Sequence, residues 1–399
     1  MLTISEKSKN LPLSPIRKLV PLAEKAVARG VKIYKLNIGQ PDVETPQVAL
    51  DAIHNTSLTT LAYTHSAGLI SYRRKQVEYY RRLGIDLEVD NLITTIGGSE
   101  AVMMSITICC NRGDEILVAE PFYANYSTFA KEADVVIVPV PSDIEHNFAL
   151  PPVEEFEKRI TPRTKAILVC NPSNPTGYLY TARELDKLRE LVSRNGLFLI
   201  ADEVYREFCY DGRHQISALT LKGIDDNVIV VDSISKRYSM CGVRLGCIIS
   251  RNTEVMAAAM KLAMARLAPP LLAQIAGEAA VDTPQSYFDA VNAEYTARRD
   301  TLISELNKIP GVYTPLPEGA FYTMVHLPVD DCNRFAAWLL DEFTFNGATV
   351  QIAPGTGFYA TEGRGLQEAR MAYVIKREDL IEACNILREA LKVYPGRTE

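Results

Sequence analysis

The stretch KAILVCNPSNPTGYLYTARELDKLRELVSRNGLFLIADEVY, residues 165–205, decides the architecture. Lys165–Cys170 is an apolar, β-branched run closed by Asn-Pro, which reads as a buried strand. Thr181–Arg194 follows with Leu185, Leu188, Leu191 and Val192 at helical spacing. Leu197–Ala201 is a second apolar run. A strand, a helix and a strand in immediate succession form a βαβ unit, whose two strands run parallel.

Working outward, the same alternation extends from about residue 60 to 285. Further strands are expected at Leu92–Ile96, Glu115–Ala119, Val135–Val140, Val228–Asp232 and Gly246–Ser250. The expected fold is therefore α/β, with a mostly parallel seven-stranded sheet flanked by helices. Ligands of such sheets bind beyond the carboxyl ends of the strands, so residues just after each strand are the first candidates for function. Residues 286–308 read as one long helix leading out of this domain. FYTMVHL (321–327) and ATVQIAP (348–354) alternate like strands, and Cys332–Glu342 and Arg377–Val393 read as helices. Residues 11–35 read as an arm and a basic amphipathic helix ending at Gly30. The expected organisation is an arm and part of a small domain at 1–45, a large ligand-binding domain at 46–285, and a small α+β domain at 286–399.

Composition narrows the function classes. The chain has 399 residues, 47% of them hydrophobic, and a formal net charge of -6. That length suits two or three domains, and the apolar fraction supports a real core. Lys and Arg total 43 against 49 Asp and Glu, a poor balance for displacing counterions from nucleic acid. No run of about 18 apolar residues and no N-terminal apolar segment points to a membrane. The eight cysteines lack a CxxC pair and sit mostly in apolar strings such as SITICC, as reduced core cysteines of a cytoplasmic protein do. The five histidines form no HExxH pattern, so no metal site is expected.

Four segments place chemistry after strands. Gly97-Gly98-Ser99-Glu100-Ala101 leads into an apolar helix, where free backbone N–H groups can meet an anion; an ordinary cap reads the same way. Asn171-Pro172-Ser173-Asn174-Pro175-Thr176-Gly177 is a stiff turn able to fix an amide in space. FLIADEVY ends in Asp202, Glu203 and Tyr205, and a carboxylate there needs a cation or several donors beside it. VIVVDSISKRYSMCGVRLG (228–246) sets Ser233, Ser235, Lys236 and Arg244 together without the order of a Walker motif. A lysine among hydroxyls suits a phosphate neighbour, and lysine is the residue that forms Schiff bases with carbonyls.

In this order, NPSNPTG, DEVY, SxSK and RLG resemble the fold-type I pyridoxal-phosphate enzymes, and more narrowly the class I aminotransferases of the aspartate aminotransferase family. The resemblance runs from NIGQPD (37–42) to Arg370-Met371-Ala372-Tyr373. It implies pyridoxal 5'-phosphate as cofactor, attached to Lys236, which also moves the proton at substrate Cα. It implies Asp202 against the pyridinium nitrogen, Asn174 and Tyr205 on the ring's 3-oxygen, and Tyr123 stacked on its face. Gly98, Ser99, Glu100, Ser233, Ser235 and Arg244 would surround the phosphate. Tyr63, in LAYTHSAG, would reach the phosphate of a partner subunit, which makes the active sites shared in a homodimer. Arg370 would clamp the substrate α-carboxylate through its planar fork, with Gly39 and Asn174 beside it.

The resemblance implies transfer of an amino group from an L-amino acid to a 2-oxo acid such as 2-oxoglutarate, by a ping-pong route. Aspartate or glutamate is the expected donor if Arg266, in MARLAPP, supplies the second cation, from the partner subunit; pairing with an acidic neighbour is the competing reading of that arginine. Ser14-Pro15-Ile16-Arg17 is a weaker candidate for the substrate pocket. An aminotransferase for aromatic or neutral amino acids, or a carbon–sulfur β-lyase on the same fold, shares nearly all these residues. A regulatory DNA-binding relative would need a basic segment that this chain lacks.

Overall fold

The computed structural model describes residues 2–12 and 14–398. Its strands, in chain order, are β1 (Lys32–Lys35), β2 (Leu92–Thr95), β3 (Glu115–Glu120), β4 (Val136–Pro141), β5 (Thr164–Cys170), β6 (Phe198–Asp202), β7 (Val228–Ser233), β8 (Gly246–Ile249), β9 (Tyr322–His326), β10 (Ala348–Gln351), β11 (Ala353–Pro354) and β12 (Glu368–Ala372). The seven strands expected for the large sheet all lie in it, each end within one residue of expectation. Their order is β2-β8-β7-β6-β5-β3-β4. Only β8 is reversed, antiparallel to both β2 and β7.

Period-two burial divides each central strand between the sheet's two faces. Ile116, Val118, Ala166, Leu168, Ile200, Ile229 and Val231 pack with Ala101, Val102 and Ile106 of the helix Gly97–Cys109. Leu117, Ile167, Val169, Leu199, Ala201 and Val230 pack on the other face with Leu185, Leu188, Leu191 and Val192. Those four leucine and valine positions belong to the helix Ala182–Asn195. Thr181 and Glu184 close a capping box at its start, and Gly196 ends it in a left-handed conformation (φ 62°).

The long helix, Gln285–Leu306, leaves this layer and packs on the C-terminal helix Arg377–Val393. Beside them β9, β12 and β11 form an antiparallel sheet, and β1 pairs in parallel with β10. Leu19 and Leu36 share one apolar cluster with Leu302, Leu306, Phe335, Leu339, Val350 and Leu387. Leu19 and Leu36, from the first forty residues, therefore pack among elements from the last third of the chain. β5, β6 and β7 end at Cys170, Asp202 and Ser233, so the carboxyl edge of the large sheet faces this second layer.

Candidate active site

Those strand ends and the first turn of the helix Gly97–Cys109 open on a cavity of about 140 Å³. Gly98, Ser99, Tyr123, Asn174, Asp202, Tyr205, Ser233, Ser235, Lys236 and Arg244 all line it, so the structure gathers these sequence candidates in one place.

Asp202, the last residue of β6, is the acidic pole. It is 5% exposed. Burial disfavours its charged form and pushes its carboxyl up to about 6, although Tyr126 donates to Oδ2 at 2.6 Å and Val204 N to Oδ1 at 3.3 Å. Those two donors are neutral, so a cation brought into the cavity would be the missing partner. Tyr123 stands edge-on to Tyr126, with ring centroids 5.4 Å apart, and burial raises its hydroxyl to about 12.

A chain of polar contacts crosses from the large sheet to the second layer. Asn174 Nδ2 donates to Tyr205 Oη at 3.3 Å, and the hydroxyls of Tyr205 and Tyr322 are 3.0 Å apart. Lys236 Nζ donates to the Gly39 carbonyl at 2.7 Å. Lys236 sits in the short helix Ile234–Arg237, started by Ser233 Oγ accepting from Ser235 N. The next residue, Arg237, is pinned to the buried Asp232 and lies 4.0 Å from the Tyr79 ring centroid, which fixes the turn that presents Lys236. Arg370, on β12, is only 1% exposed. It donates to Asn174 Oδ1 at 3.0 Å and Asn37 O at 2.6 Å, with Tyr322 and Phe358 against its guanidinium. A surface ion pair is thus not its role.

At the other end, Arg244 has left-handed backbone (φ 58°), and its Nη1 reaches Cys241 O (3.0 Å) and Ser235 Oγ (3.4 Å). Two glycines make room here. A Cβ on Gly97 (φ 73°) would lie 2.5 Å from Arg244 Nη2, and one on Gly246 would lie 2.7 Å from both Asp232 O and Gly97 C. Backbone N–H groups at a helix start, two hydroxyls and a guanidinium together form an anion site.

Three expected residues stand elsewhere. Glu100 does not line the cavity: its Oε2 accepts from Ile96 N at 2.5 Å, and its Oε1 is 3.2 Å from Arg266 Nε. Arg266 also donates to Ser66 O (3.2 Å) and Thr94 O (3.0 Å). Its guanidinium thus faces Glu100 and two carbonyls of its own chain, the acidic-neighbour pairing that was the competing reading of this arginine. Tyr63 is 82% exposed and lies outside the cavity of its own chain.

Tyr126, Tyr322 and Cys241 are functional candidates that the sequence reading missed. Tyr126 was visible in PFYANY, one helical step from Tyr123. Tyr322 comes from β9, and no local signal ties it to Tyr205. Cys241 Sγ, five residues beyond the lysine, lies 3.5 Å from Lys236 Nζ.

The family model described as "Aminotransferase class I and II" matches residues 31–387. An aspartate aminotransferase of Pyrococcus horikoshii is 30% identical over 98% of this chain and 97% of its own. An aromatic-amino-acid aminotransferase of Thermococcus litoralis is 28% identical, covering 98% and 99%. Among solved structures, a mutant Thermus thermophilus aspartate aminotransferase superposes with a TM-score of 0.89 at 27% identity, covering 98% of this chain and 100% of that one. An alanine aminotransferase from Pyrococcus furiosus gives 0.89 at 30%, with the same coverage.

Proposed function

Because the chain belongs to the class I and II aminotransferase family, and is an aminotransferase by that membership, we propose that the cavity binds pyridoxal phosphate and moves an amino group between an L-amino acid and a 2-oxo acid. The donor set fits the cofactor. Asp202 lacks a cation and suits a protonated ring nitrogen; Asn174 and Tyr205 suit the ring oxygen, and Tyr123 the ring face. The anion site at Gly98, Ser99, Ser233, Ser235 and Arg244 suits the phosphate. Lys236, in the wall between them, suits the carbonyl carbon. The single observation that carries this reading is a buried carboxylate without a cation facing a lysine across one cavity. When bound, the cofactor supplies an electron sink for the negative charge that develops at substrate Cα.

The chain's own residues do the rest. Asp202 would hold the ring nitrogen protonated, and Tyr205, supported by Asn174 and Tyr322, would donate to the ring oxygen. Lys236 Nζ would take the proton from substrate Cα and hold it for return. Its contact with Gly39 O gives the amine an anchor when it is released. Arg370 binds the α-carboxylate, already oriented by Asn174, Asn37 and the Tyr322 and Phe358 rings, so little ordering is needed on binding. The second layer, with residues 1–45 and 286–399, supplies Arg370 and Gly39 and acts as the substrate-side domain against 46–285.

A homodimer completes the account. Leu58, Leu61, Tyr63, Met264 and Leu267 are exposed. Their two segments are neighbours, because Arg266 bonds Ser66 O and Gln274 Nε2 bonds Thr64 Oγ1. Such an apolar patch beside the anion site supports a two-fold interface that carries Tyr63 to the partner's phosphate. Free cysteines support a cytoplasmic setting; no described helix is long and apolar enough to cross a membrane.

Relatives named for aspartate support aspartate as the first donor, to be tried with 2-oxoglutarate as acceptor. The Arg266–Glu100 ion pair favours a second reading, a neutral or aromatic donor, for which the alanine- and aromatic-named relatives also speak. A donor and acceptor panel decides between them, with Arg370→Ala as control. Truncating a buried charged partner costs about 2–5 kcal/mol, so kcat/KM should fall by about 30-fold or more for every donor alike. An unchanged kcat/KM would remove Arg370 from the substrate site.

A further inference from the structure

Glu120, the last residue of β3, is a wholly buried carboxylate that the chemistry above leaves unused. Its Oε2 accepts from Ala360 N and Thr361 N, both at 3.1 Å, and its Oε1 from Arg364 Nη1 at 3.3 Å. Among the described residues these are the donors to its side chain, and all belong to the second layer. Arg364 is half-buried, with its guanidinium 5.1 Å from the Tyr359 ring centroid. Its Nη2 donates to Ser142 O at 2.6 Å, one residue past β4. Phe122 N adds a further bond across the same seam, to Phe358 O at 2.9 Å. The segment 355–367, which joins β11 to β12, is therefore bonded to the ends of β3 and β4.

A carboxylate taken out of water is costly unless a cation and further donors meet it together. Glu120 has its cation and both amide donors only when residues 360–364 lie against β3. Parting the two layers gives up a charge-assisted contact and two hydrogen bonds at once, so these bonds favour one relative position of the layers. That position matters for substrate. Arg370 stands opposite Ala353 in the pairing of β11 with β12, and Phe358, in the bonded segment, lies 5.0 Å from its guanidinium. On the other side of the seam, Tyr123 lines the catalytic cavity three residues after Glu120. Glu120 thus ties the strand that carries Arg370 to the segment that carries Tyr123.

We propose that Glu120 and Arg364 form a positioning pair for substrate binding: they hold the strands β11 and β12 against the large domain, so that Arg370 stands where the α-carboxylate arrives. The inference rests on the reading of Arg370 as the carboxylate clamp. Neither member of the pair lines the cavity, so both act through Arg370. The pair affects amino acid and 2-oxo acid alike, because both present the same carboxylate. It spares the cofactor, whose phosphate and ring donors belong to residues 46–285.

Steady-state kinetics of the holoenzyme, with donor and acceptor each varied, test the pair. Glu120→Gln keeps a carbonyl oxygen for the two amides but turns an N–H donor towards Arg364, which breaks that arm alone. KM should rise about three- to tenfold for donor and acceptor together, with a smaller change in kcat and an unchanged cofactor absorbance. Adding Arg364→Met to Glu120→Gln should make neither KM worse, since no guanidinium then faces the amide. Should Glu120→Gln fail to fold, Arg364→Lys carries the same expectation, because a lysine cannot reach Glu120 and Ser142 O at once. Unchanged KM values in these variants, beside a large loss in Arg370→Ala, would mean that the pair only stabilises the fold and would overturn the proposal. Hydrogen exchange separates that result from failure of the clamp reading. Amides of 355–367 should exchange faster in Glu120→Gln than in wild type, whatever Arg370 binds, and unchanged exchange would also overturn the proposal. Faster exchange with no kinetic effect of Arg370→Ala would instead remove the clamp reading, and the proposal with it.

Discussion

Replacing Asp202 by asparagine probes the acidic pole through stability rather than turnover. In the cofactor-free protein, burial raises this carboxyl from 3.8 to about 6. The unfolded chain gives up the proton near pH 4, and the folded chain keeps it for about two more pH units. Between those values the folded state binds more protons, so stability is fully present below pH 4 and is lost as pH rises through about 6. At about 1.4 kcal/mol per unit, two units amount to about 3 kcal/mol. The asparagine side chain has no proton to release, and its amide oxygen can still accept from the Tyr126 hydroxyl. Urea unfolding of cofactor-free wild type and Asp202→Asn at a series of pH values reads this residue together with its coupling to Glu203, because the other raised acids, Glu318 and Glu368, titrate alike in both. The variant should gain about 3 kcal/mol on the wild type between about pH 4 and pH 7. Adding cofactor should erase that gain, since a ring cation stabilises the charged aspartate. Parallel stability curves over the whole range would show that Asp202 is not a desolvated carboxyl and refute the reasoning.

Other substitutions test the frame around the site. Gly246→Ala puts a Cβ 2.7 Å from Asp232 O and Gly97 C, so it should push the glycine turn outward and weaken cofactor binding, read by cofactor release on dialysis. Arg237→Ala leaves Asp232 buried without its cation and should cost about 3–5 kcal/mol in chemical unfolding. Thr181→Ala opens the capping box of the helix Ala182–Asn195 and should cost about 1 kcal/mol, with kcat unchanged because the helix lies on the far face from Lys236.

Much of this was legible in the sequence because its signals are local. Leu185, Leu188, Leu191 and Val192 carry the helical period themselves, and β5, β6 and β7 are contiguous apolar runs. Asp202 and Ser233 end their strands and Asn174 and Lys236 follow within four residues of one, so the sheet's own geometry brings them together. What the sequence left open depends on contacts between distant segments. Glu100 and Arg266 meet only because the helix Thr253–Arg266 packs against β2 and the helix Gly97–Cys109. Nothing in MARLAPP or GGSEA announces that pair. Tyr322 likewise reaches Tyr205 through the pairing of β9 with β12, which also carries Arg370.

The central claim is that this cavity transfers an amino group, with Lys236 moving the proton. A half-reaction tests it most directly: cofactor-loaded enzyme is mixed with an amino donor and no acceptor, and the products are counted. The account predicts one equivalent of 2-oxo acid per site and no ammonia, the retained amino group then passing to added 2-oxoglutarate, and no product from Lys236→Ala. Continuous release of ammonia, or the same single equivalent from Lys236→Ala, would contradict it.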